Sequence, residues 1–237
     1  MKNLALKSYS FIILFFSVFN LTAQEELPKG LTEAERELLP QFKFNSHRLI
    51  SDPPEGPVRA AAEWEEVEYL LVRWTNSYQN ILRQIVEVGV QECKVIITTQ
   101  NESSVTSYLT NQGVDLTNVE FLNTGSNSIW IRDYGGNTIY SDDVGERALT
   151  DWIYNRPRPL DDIMPTQHAN MIDIPIYVTD TGINDLVNTG GNYMSDGLGN
   201  AFASNLILEE NEAGNPYNVS AKTEDEIDAI MNAYMGI

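Results

Sequence analysis

The chain has 237 residues, of which 34 are Asp or Glu and only 15 are Lys or Arg, so its formal net charge is −19. A surface of this sign repels nucleic acid, which argues against a polyanionic partner, and it attracts cationic ligands such as guanidinium compounds at low salt. The alternative is that the acidity serves only solubility.

The first 23 residues have the pattern of a secretory signal peptide. Lys2 and Lys7 form the basic start, an apolar run covers 11–19, and Leu21-Thr22-Ala23 offers a cleavage site. This run is too short to span a bilayer, and no later stretch reaches the ~20 apolar residues of a membrane-spanning helix. We therefore expect an extracytoplasmic protein, periplasmic or secreted, without stable membrane insertion after cleavage. The alternative is a buried amino-terminal helix.

Residues 24–57 form an acidic lead-in segment that is punctuated by prolines. It contains one predicted helix, 32–39, which Pro40 ends. From residue 58 onward short β-branched runs alternate with helical ones, and this alternation predicts an α/β architecture. The predicted strands are 67–74, 93–99, 119–122, 128–132, 137–140, 148–154 and 174–179.

Capping residues mark the predicted helices of this α/β region. Ser77 and Asn101 each begin a helix, and a glycine-rich hairpin region follows at 189–208. The last helix begins with a capping box at 223–226 and ends at Gly236. Because a helix that ends on glycine normally leads into another element, we expect the chain to be interrupted one residue later.

Cysteine and histidine give no metal pattern. The single cysteine, Cys93, excludes an intrachain disulfide and begins a β-branched run, so we expect it to be a buried strand residue. His47 and His168 are far apart in the sequence, and neither has metal-ligand spacing to another His or Cys. The sequence therefore predicts no zinc site.

Segment 128–136 joins the predicted apolar strand to an Arg-Asp pair and a glycine turn. Asp133 lies at the end of this strand, close to Trp130. An aspartate carboxylate can accept two parallel N–H bonds from a guanidinium, and an indole can cover the planar face of that cation. Both residues are therefore candidates for a cation pocket. The alternative is that Asp133 only caps the turn or pairs with Arg132, although adjacent strand residues point to opposite faces.

Segment 151–159 carries two arginines, Arg156 and Arg158, each followed by a proline. The prolines fix their own φ and favour extended geometry at the preceding arginines, so both guanidinium groups project from a stiff loop. Such a pair is suited to binding a carboxylate or a phosphate. The alternative is a solvated turn.

Segment 188–200 is rich in glycine. Its glycines, Gly191 among them, permit close backbone approach, while Asn192 and Asp196 supply polar groups. The Lys-Ser/Thr pair of a P-loop and the repetition of a calcium-binding array are both missing. On composition and spacing alone, the three segments predict a soluble α/β protein with a candidate anion clamp and a candidate cation pocket.

The combination and order of these motifs closely resemble the bacterial, Porphyromonas-type, peptidylarginine deiminases over residues 53–237. The matching segments are 53–60, 62–65, 130–134, 153–159 and 190–197. Glu63-Trp64-Glu65, Trp-x-Arg-Asp-Tyr and Gly-Gly-Asn-x-x-x-Asp-Gly also resemble agmatine deiminases, more loosely. The resemblance makes residues 58–237 the amino-terminal part of a deiminase catalytic domain.

This resemblance implies an α/β fold of the pentein type, a propeller of five ββαβ modules around a central pocket, of which about three are expected here. It also implies hydrolysis of a guanidinium group without a metal or organic cofactor. In such enzymes a late cysteine attacks the guanidinium carbon, ammonia leaves with a proton from histidine, and water hydrolyses the thiouronium intermediate. The implied substrate is an arginine-containing peptide or a small guanidinium compound.

Residue roles follow from the matching motifs. The resemblance makes Asp133 the guanidinium ligand in catalysis and Trp130 a wall of the pocket. Arg156 and Arg158 are implied to bind the main-chain carboxylate of a carboxy-terminal arginine, which would become citrulline. The resemblance also implies a pocket loop that includes Gly191, Asn192 and Asp196.

The sequence departs from the family in one respect. The late His-x-Asp pair and nucleophilic cysteine have no counterpart, and Cys93, His47 and His168 lie in no matching motif, so we expect a truncated chain that is inactive alone. One alternative is an agmatine deiminase that forms N-carbamoylputrescine for putrescine biosynthesis, although agmatine has no carboxylate for an arginine pair. Another is a secreted guanidinium-binding protein without catalysis.

Overall fold

The computed structural model describes residues 26–43, 50–142, 145–180 and 182–237. The predicted signal peptide and His47 lie outside the described residues. Within the described ranges, no helix combines the length and the apolar character that crossing a bilayer requires.

Helices and strands alternate along the described chain, as the sequence predicts. The helices are α1 (Glu33–Leu38), α2 (Gln79–Gly89), α3 (Glu102–Asn111), α4 (Ile131–Tyr134), α5 (Pro159–Asp162), α6 (Met164–Ile172), α7 (Leu206–Glu209) and α8 (Glu224–Met235). The strands are β1 (Val58–Ala60), β2 (Tyr69–Arg73), β3 (Lys94–Thr98), β4 (Val119–Leu122), β5 (Asn137–Ser141), β6 (Arg147–Asp151), β7 (Ile153–Tyr154), β8 (Ile176–Val178), β9 (Val187–Asn188), β10 (Met194–Ser195) and β11 (Ala201–Phe202).

The first sheet has the order β2-β3-β4 and is entirely parallel. Helices α2 and α3 connect its strands in sequence, as parallel pairing requires. Val95 and Ile97 of β3 share one hydrophobic cluster with Val86 of α2 and Leu109 of α3. Val72 of β2 belongs to the same cluster, and Val119 and Phe121 of β4 pack against it, so the predicted strands at 67–74, 93–99 and 119–122 are confirmed.

The second sheet has the order β1-β5-β6-β8, in which β6 and β8 are parallel and the other pairs are antiparallel. Strands β1, β5 and β6 each contribute one residue to a core cluster, namely Ala60, Ile139 and Ala148. Ile227 and Tyr234 of α8 belong to the same cluster. One face of this sheet, including its edge strand β1, therefore packs against α8.

The predicted strand 148–154 is divided in two. Strand β6 ends at Asp151 and pairs with β8, whereas β7 begins at Ile153 and pairs in parallel with β9. Trp152, buried between the two strands, belongs to the core cluster that contains α8. One continuous extended run in the sequence therefore serves two sheets.

The predicted helix at 32–39 and the predicted capping box at 223–226 are both confirmed. Thr32 and Thr223 each accept a hydrogen bond at the start of a helix and form complete capping boxes with Glu35 and Glu226. The last helix ends at Met235 and is capped by Gly236, whose φ of 69° is left-handed. These features are local, so their patterns predicted them well.

The predicted strand 128–132 is wrong, because the chain forms the short helix α4 there. The carboxylate of Asp161 accepts hydrogen bonds from the amides of Asn127 and Ser128 at 2.7 and 3.0 Å, and from the Ser128 hydroxyl at 2.7 Å. A side chain thus binds the backbone groups that a strand partner would have bound. The loop then enters α4 instead of a sheet.

Two further expectations are corrected by the structure. The start of α2 is preceded by a 3₁₀ turn in which the Thr75 side chain, and not that of Ser77, accepts the capping hydrogen bond. Cys93 is only partly buried and lies one residue before β3, so the expectation of a buried strand residue is wrong.

Two prolines begin helices in the second half of the chain. Pro159 and Pro165 lie in the first turns of α5 and α6, where proline is tolerated.

Candidate functional site

Asp133 lies on α4, a single helical turn that is fixed from both sides. Its amide donates to the Trp130 carbonyl at 2.8 Å, and the hydroxyl of Thr189 donates to the Asp133 carbonyl at 2.9 Å. The adjacent Tyr134 donates its hydroxyl to the Ser128 carbonyl at 3.1 Å. These bonds fix the backbone around Asp133, whose side chain is only 9% exposed.

Two glycines pack directly against this helical turn. A Cβ atom on Gly190 would lie 2.5 Å from the carbonyl oxygen of Arg132, and one on Gly191 would lie 1.9 Å from Oδ1 of Asp133. Both distances are far below van der Waals contact, so a larger residue would displace α4 or the carboxylate. The structure therefore brings Gly191, predicted as part of the pocket loop, beside Asp133.

The carboxylate of Asp133 is buried among positive charges. Burial raises the pKa of Asp133 above its usual range, although four cations oppose this rise: Lys29, Arg156, Arg132 and Arg158. The Nζ atom of Lys29 lies 3.9 Å from Oδ1, and within the described part of the chain the carboxylate accepts no hydrogen bond. Such a carboxylate is suited to accept two N–H donors from a cationic ligand.

The indole of Trp130 lies at the edge of a small aromatic cluster. Its neighbours are Tyr134, Tyr154 and Met164, and the two tyrosine rings meet edge to face at 6.0 Å. The indole Nε1 donates to the carbonyl of Leu27 at 2.9 Å. The indole therefore lies next to α4 and contacts the lead-in segment, and its role as a wall of the pocket stays a prediction.

The guanidinium of Arg158 is almost completely buried and bound by the lead-in segment. Its Nε and Nη2 atoms contact the Glu35 carboxylate at 2.6 and 3.2 Å, and Nη2 also donates to the carbonyls of Pro28 and Gly30. Burial opposes ionisation of Glu35, but hydrogen bonds from Arg158 and Thr32 hold its pKa below the usual range. Among the described residues, Nη1 of Arg158 finds no hydrogen-bond partner.

Arg156 is more open than Arg158, yet it also contacts the lead-in segment. Its Nε donates to the carbonyl of Lys29 at 3.1 Å, and its Nη1 donates to the carbonyl of Asn155 at 2.8 Å. The positive charges of the two arginines predicted to clamp a carboxylate thus act to lower the pKa of Asp133. Both guanidinium groups are bound by the chain's own residues 28–35.

Asn192 and Asp196 stabilise their own loop. Oδ1 of Asn192 accepts from the amide and hydroxyl of Ser204 at 3.0 and 2.6 Å. The carboxylate of Asp196 accepts from the amides of Leu198 and Asn200 and from the Asn200 side chain, at 2.7 to 3.1 Å. In this structure these two predicted pocket residues therefore contact the β10–β11 hairpin.

Motifs that are far apart in the sequence meet at this hairpin. Nη2 of Arg132 contacts Oε1 of Glu63 at 2.5 Å and donates to the carbonyl of Tyr193 at 3.2 Å. The indole of Trp64 donates to the carbonyl of Asp196 at 3.3 Å. Segments 62–65, 130–134 and 190–197 thus form one continuous structure.

A cavity of about 1010 Å³ is lined by Arg132, Cys93 and His168 but not by Asp133. Burial raises the pKa of the Cys93 thiol and lowers the pKa of His168 to about 4. Neither group is therefore poised to supply a thiolate or an imidazolium at neutral pH. Among the described residues, no group of three or more His, Cys, Asp or Glu side chains is placed to hold a metal ion.

Sequence reasoning missed Lys29, Glu35 and Thr189 as parts of this region. Glu35 carries a local signal, since it completes the capping box of α1, but its contact with Arg158 spans 123 residues. Thr189 precedes the glycine pair, and only the packing of that loop on α4 reveals its bond to Asp133.

Known proteins share this architecture. The sequence pattern of the Porphyromonas-type peptidyl-arginine deiminases matches residues 58–237. The structure is similar to the C. jejuni agmatine deiminase, with a TM-score of 0.59 and 23% identity over 76% of this chain and 53% of that chain. It is also similar to the agmatine deiminase of Enterococcus faecalis, with a TM-score of 0.65 and 18% identity over 81% of this chain and 55% of that chain.

The chain thus spans about half the length of these solved structures. Their fold is the pentein-type α/β propeller, and partial coverage agrees with an incomplete set of modules, so the expected fold class is confirmed. Because the family pattern matches most of the chain, from residue 58 to residue 237, the chain belongs to the Porphyromonas-type peptidyl-arginine deiminase family of guanidine-modifying hydrolases.

Proposed function

We propose that this chain is the guanidinium-binding part of a hydrolase that converts carboxy-terminal arginine of peptides to citrulline and ammonia. Membership of the deiminase family supports chemistry on a guanidino group. The observation that carries the proposal is the Asp133 carboxylate, which is buried, has a raised pKa and accepts no hydrogen bond from the described residues.

A guanidinium supplies the hydrogen-bond donors that the Asp133 carboxylate lacks. Two parallel N–H groups satisfy both oxygens of Asp133, and the positive charge offsets the cost of burying the negative one. The indole of Trp130 can cover one face of the planar cation. Held in this way, the guanidinium carbon stays accessible from the opposite face for attack by a thiolate.

The binding residues of this chain do not include the cysteine nucleophile or the histidine proton donor of the reaction. The raised pKa of Cys93 and the lowered pKa of His168 argue against assigning these roles to the two residues. Attack by a family-type cysteine releases ammonia and leaves a thiouronium, which water then hydrolyses. The residues of this chain orient the guanidinium for that sequence of steps.

Selectivity for a carboxy-terminal arginine rests on Arg156 and Arg158. Both lie close enough to Asp133 to influence its pKa, so one arginine residue could place its two charged ends at the two positions. The unpartnered Nη1 of Arg158 supplies a buried donor for a carboxylate. The predicted signal peptide supports extracytoplasmic peptides as the substrates that this enzyme meets.

A second candidate function is agmatine deimination. One observation favours it, because residues 28–35 already bind both arginines and agmatine has no carboxylate that needs them. A variant of the C. jejuni agmatine deiminase has been solved with its substrate bound. On this alternative Asp133 keeps its role, and the two arginines act only in folding.

Isothermal titration of the chain with three ligands separates these functions. The ligands are glycyl-arginine, its carboxy-terminal amide and agmatine, of which only the first has a free carboxylate. We expect glycyl-arginine to bind about tenfold to a hundredfold more tightly than the other two, since one charge-assisted contact contributes about 1.5–3 kcal/mol. Equal affinities would favour the agmatine alternative, and the absence of any binding would contradict both functions.

A further inference from the structure

Residues 26–43, the first described part of the lead-in segment, lie across the candidate site. The carbonyls of Leu27 and Lys29 accept hydrogen bonds from Trp130 and Arg156, at 2.9 and 3.1 Å. Every residue predicted to touch substrate on this side of the site is therefore in contact with the segment, since Arg158 binds it as well.

A hydrophobic anchor holds the far end of the segment. Leu39 is 2% exposed and clusters with Ile153, Val187 and Tyr217, which belong to the body of the domain. The carbonyl of Pro40 accepts a hydrogen bond from the side chain of Asn218 at 3.3 Å. Leu31 packs against the same cluster, so displacement of residues 27–35 exposes Leu31 while Leu39 keeps the far end of the segment attached.

The charges of the segment match the charges of the proposed substrate. Lys29 places a cation 3.9 Å from Oδ1 of Asp133, and Glu35 places a carboxylate on Nε and Nη2 of Arg158. A carboxy-terminal arginine carries the same two charges at its two ends. It can therefore replace cation with cation and anion with anion, so that no buried charge is left unpaired.

We infer that residues 26–43 form a built-in competitor that mimics the substrate and must leave the Asp133–Arg158 region before arginine binds. This inference rests on the proposed function, because it gives Asp133 and Arg158 the two ends of one arginine. The competitor regulates access to the site by lowering the fraction of molecules that are competent to bind.

The two contacts differ in strength. The Lys29 side chain is 60% exposed, so its attraction to Asp133 is screened and weak. The Glu35 side chain is 12% exposed and Arg158 only 1%, so this pair dominates. Nη1 of Arg158 has no partner among the described residues, so a carboxylate that replaces Glu35 can use one donor that Glu35 leaves unused.

Isothermal titration of full-chain variants tests the competition. Lys29→Met removes the cation, and we expect about twofold to fivefold tighter binding of both agmatine and glycyl-arginine. Glu35→Gln removes the anion but keeps the capping box, in which glutamine also serves. We expect it to tighten both ligands by up to about tenfold, because release of the segment raises the fraction of molecules whose Asp133 is free for either one.

Matched controls are available on the same segment. Glu37 and Lys43 are both exposed, so Glu37→Gln and Lys43→Met make the same charge changes away from the site. Their affinities for both ligands should stay within twofold of the unsubstituted chain. Equal gains in the controls would show that net charge, and not competition at Asp133 and Arg158, controls binding.

Hydrogen exchange of the unsubstituted chain supplies a test that needs no variant. Saturating glycyl-arginine should accelerate amide exchange in α1, whereas a cover that closes over the substrate would slow it. Binding that leaves α1 protected, with Lys29→Met and Glu35→Gln unchanged or weaker in affinity, would overturn the competitor and leave the proposed function standing. Absence of ligand binding in all the proteins would overturn the proposed function and the competitor together.

Discussion

Two aspartates from the family motifs, Asp133 on α4 and Asp196 in the β10–β11 hairpin, have opposite surroundings. The carboxylate of Asp196 accepts three hydrogen bonds from Leu198 and Asn200. The carboxylate of Asp133 accepts none from the described residues and has only Lys29 at 3.9 Å. A carboxylate that accepts hydrogen bonds from its own loop stabilises that loop. A buried carboxylate that accepts no hydrogen bond from the protein is available for a ligand.

The pKa values of Asp133 and Asp196 are shifted in opposite directions, in agreement with their different surroundings. Hydrogen bonds from Asn200 and Leu198 hold the pKa of Asp196 below its usual range, while burial raises the pKa of Asp133. The fold stabilises the charged form of one residue and destabilises the charged form of the other. Similar motif membership therefore does not imply similar roles.

The largest expected effect comes from Asp133→Asn. The amide keeps the size of the side chain but loses the charge, so binding of agmatine or glycyl-arginine should weaken about tenfold to a hundredfold. Titration calorimetry measures this change. The unfolding free energy at neutral pH should not decrease, because the substitution removes a buried charge. An unchanged dissociation constant would contradict the assignment of Asp133 as guanidinium ligand.

The next effect is expected from Gly191→Ala. The added methyl would lie 1.9 Å from Oδ1 of Asp133 and must displace the carboxylate, so ligand affinity should fall about tenfold and stability by about 1–3 kcal/mol. Denaturant unfolding and calorimetry measure the two quantities. Gly30→Ala is the matched control for stability, since its Cβ would have no neighbour within 4 Å and the unfolding free energy should stay unchanged.

A smaller effect is expected from Asp196→Asn. The amide can accept fewer of the hairpin hydrogen bonds, so the melting temperature should decrease slightly. The dissociation constant for agmatine should stay within threefold, because the carboxylate contacts its own loop. Loss of ligand binding as large as that of Asp133→Asn would erase the difference between the two aspartates.

The smallest expected effect is on the pH dependence of stability, to which Asp133 and Asp196 contribute with opposite signs. Asp133 has a raised pKa, so its contribution to stability is present in acid and is lost as the pH rises through that raised value. Asp196 has a lowered pKa, so its contribution is present above the ordinary value for aspartate and is lost as the pH falls through the lowered one. Thermal melts of both Asn variants across the acid range measure this difference.

Much of the fold could be predicted from the sequence. The α/β alternation, the strands around residues 93–99 and 119–122, and the capped starts at Thr32 and Thr223 are properties of local patterns. The candidate site was predicted less completely. The motifs indicated Asp133 and Gly191, which the structure brings together, but they gave no indication of the lead-in residues.

The tertiary structure decided which predicted groups face which partners. The sequence determined the helix ends and the strand pattern, because backbone preferences and side-chain periodicity act over a few residues. The turn at Ser128, which Asp161 stabilises, and the contact of Glu35 with Arg158 join residues that are 33 and 123 positions apart. Such contacts depend on how the elements pack, and no local pattern records that packing, so only the structure could show that Lys29 and Glu35 of the lead-in segment contact Asp133 and Arg158.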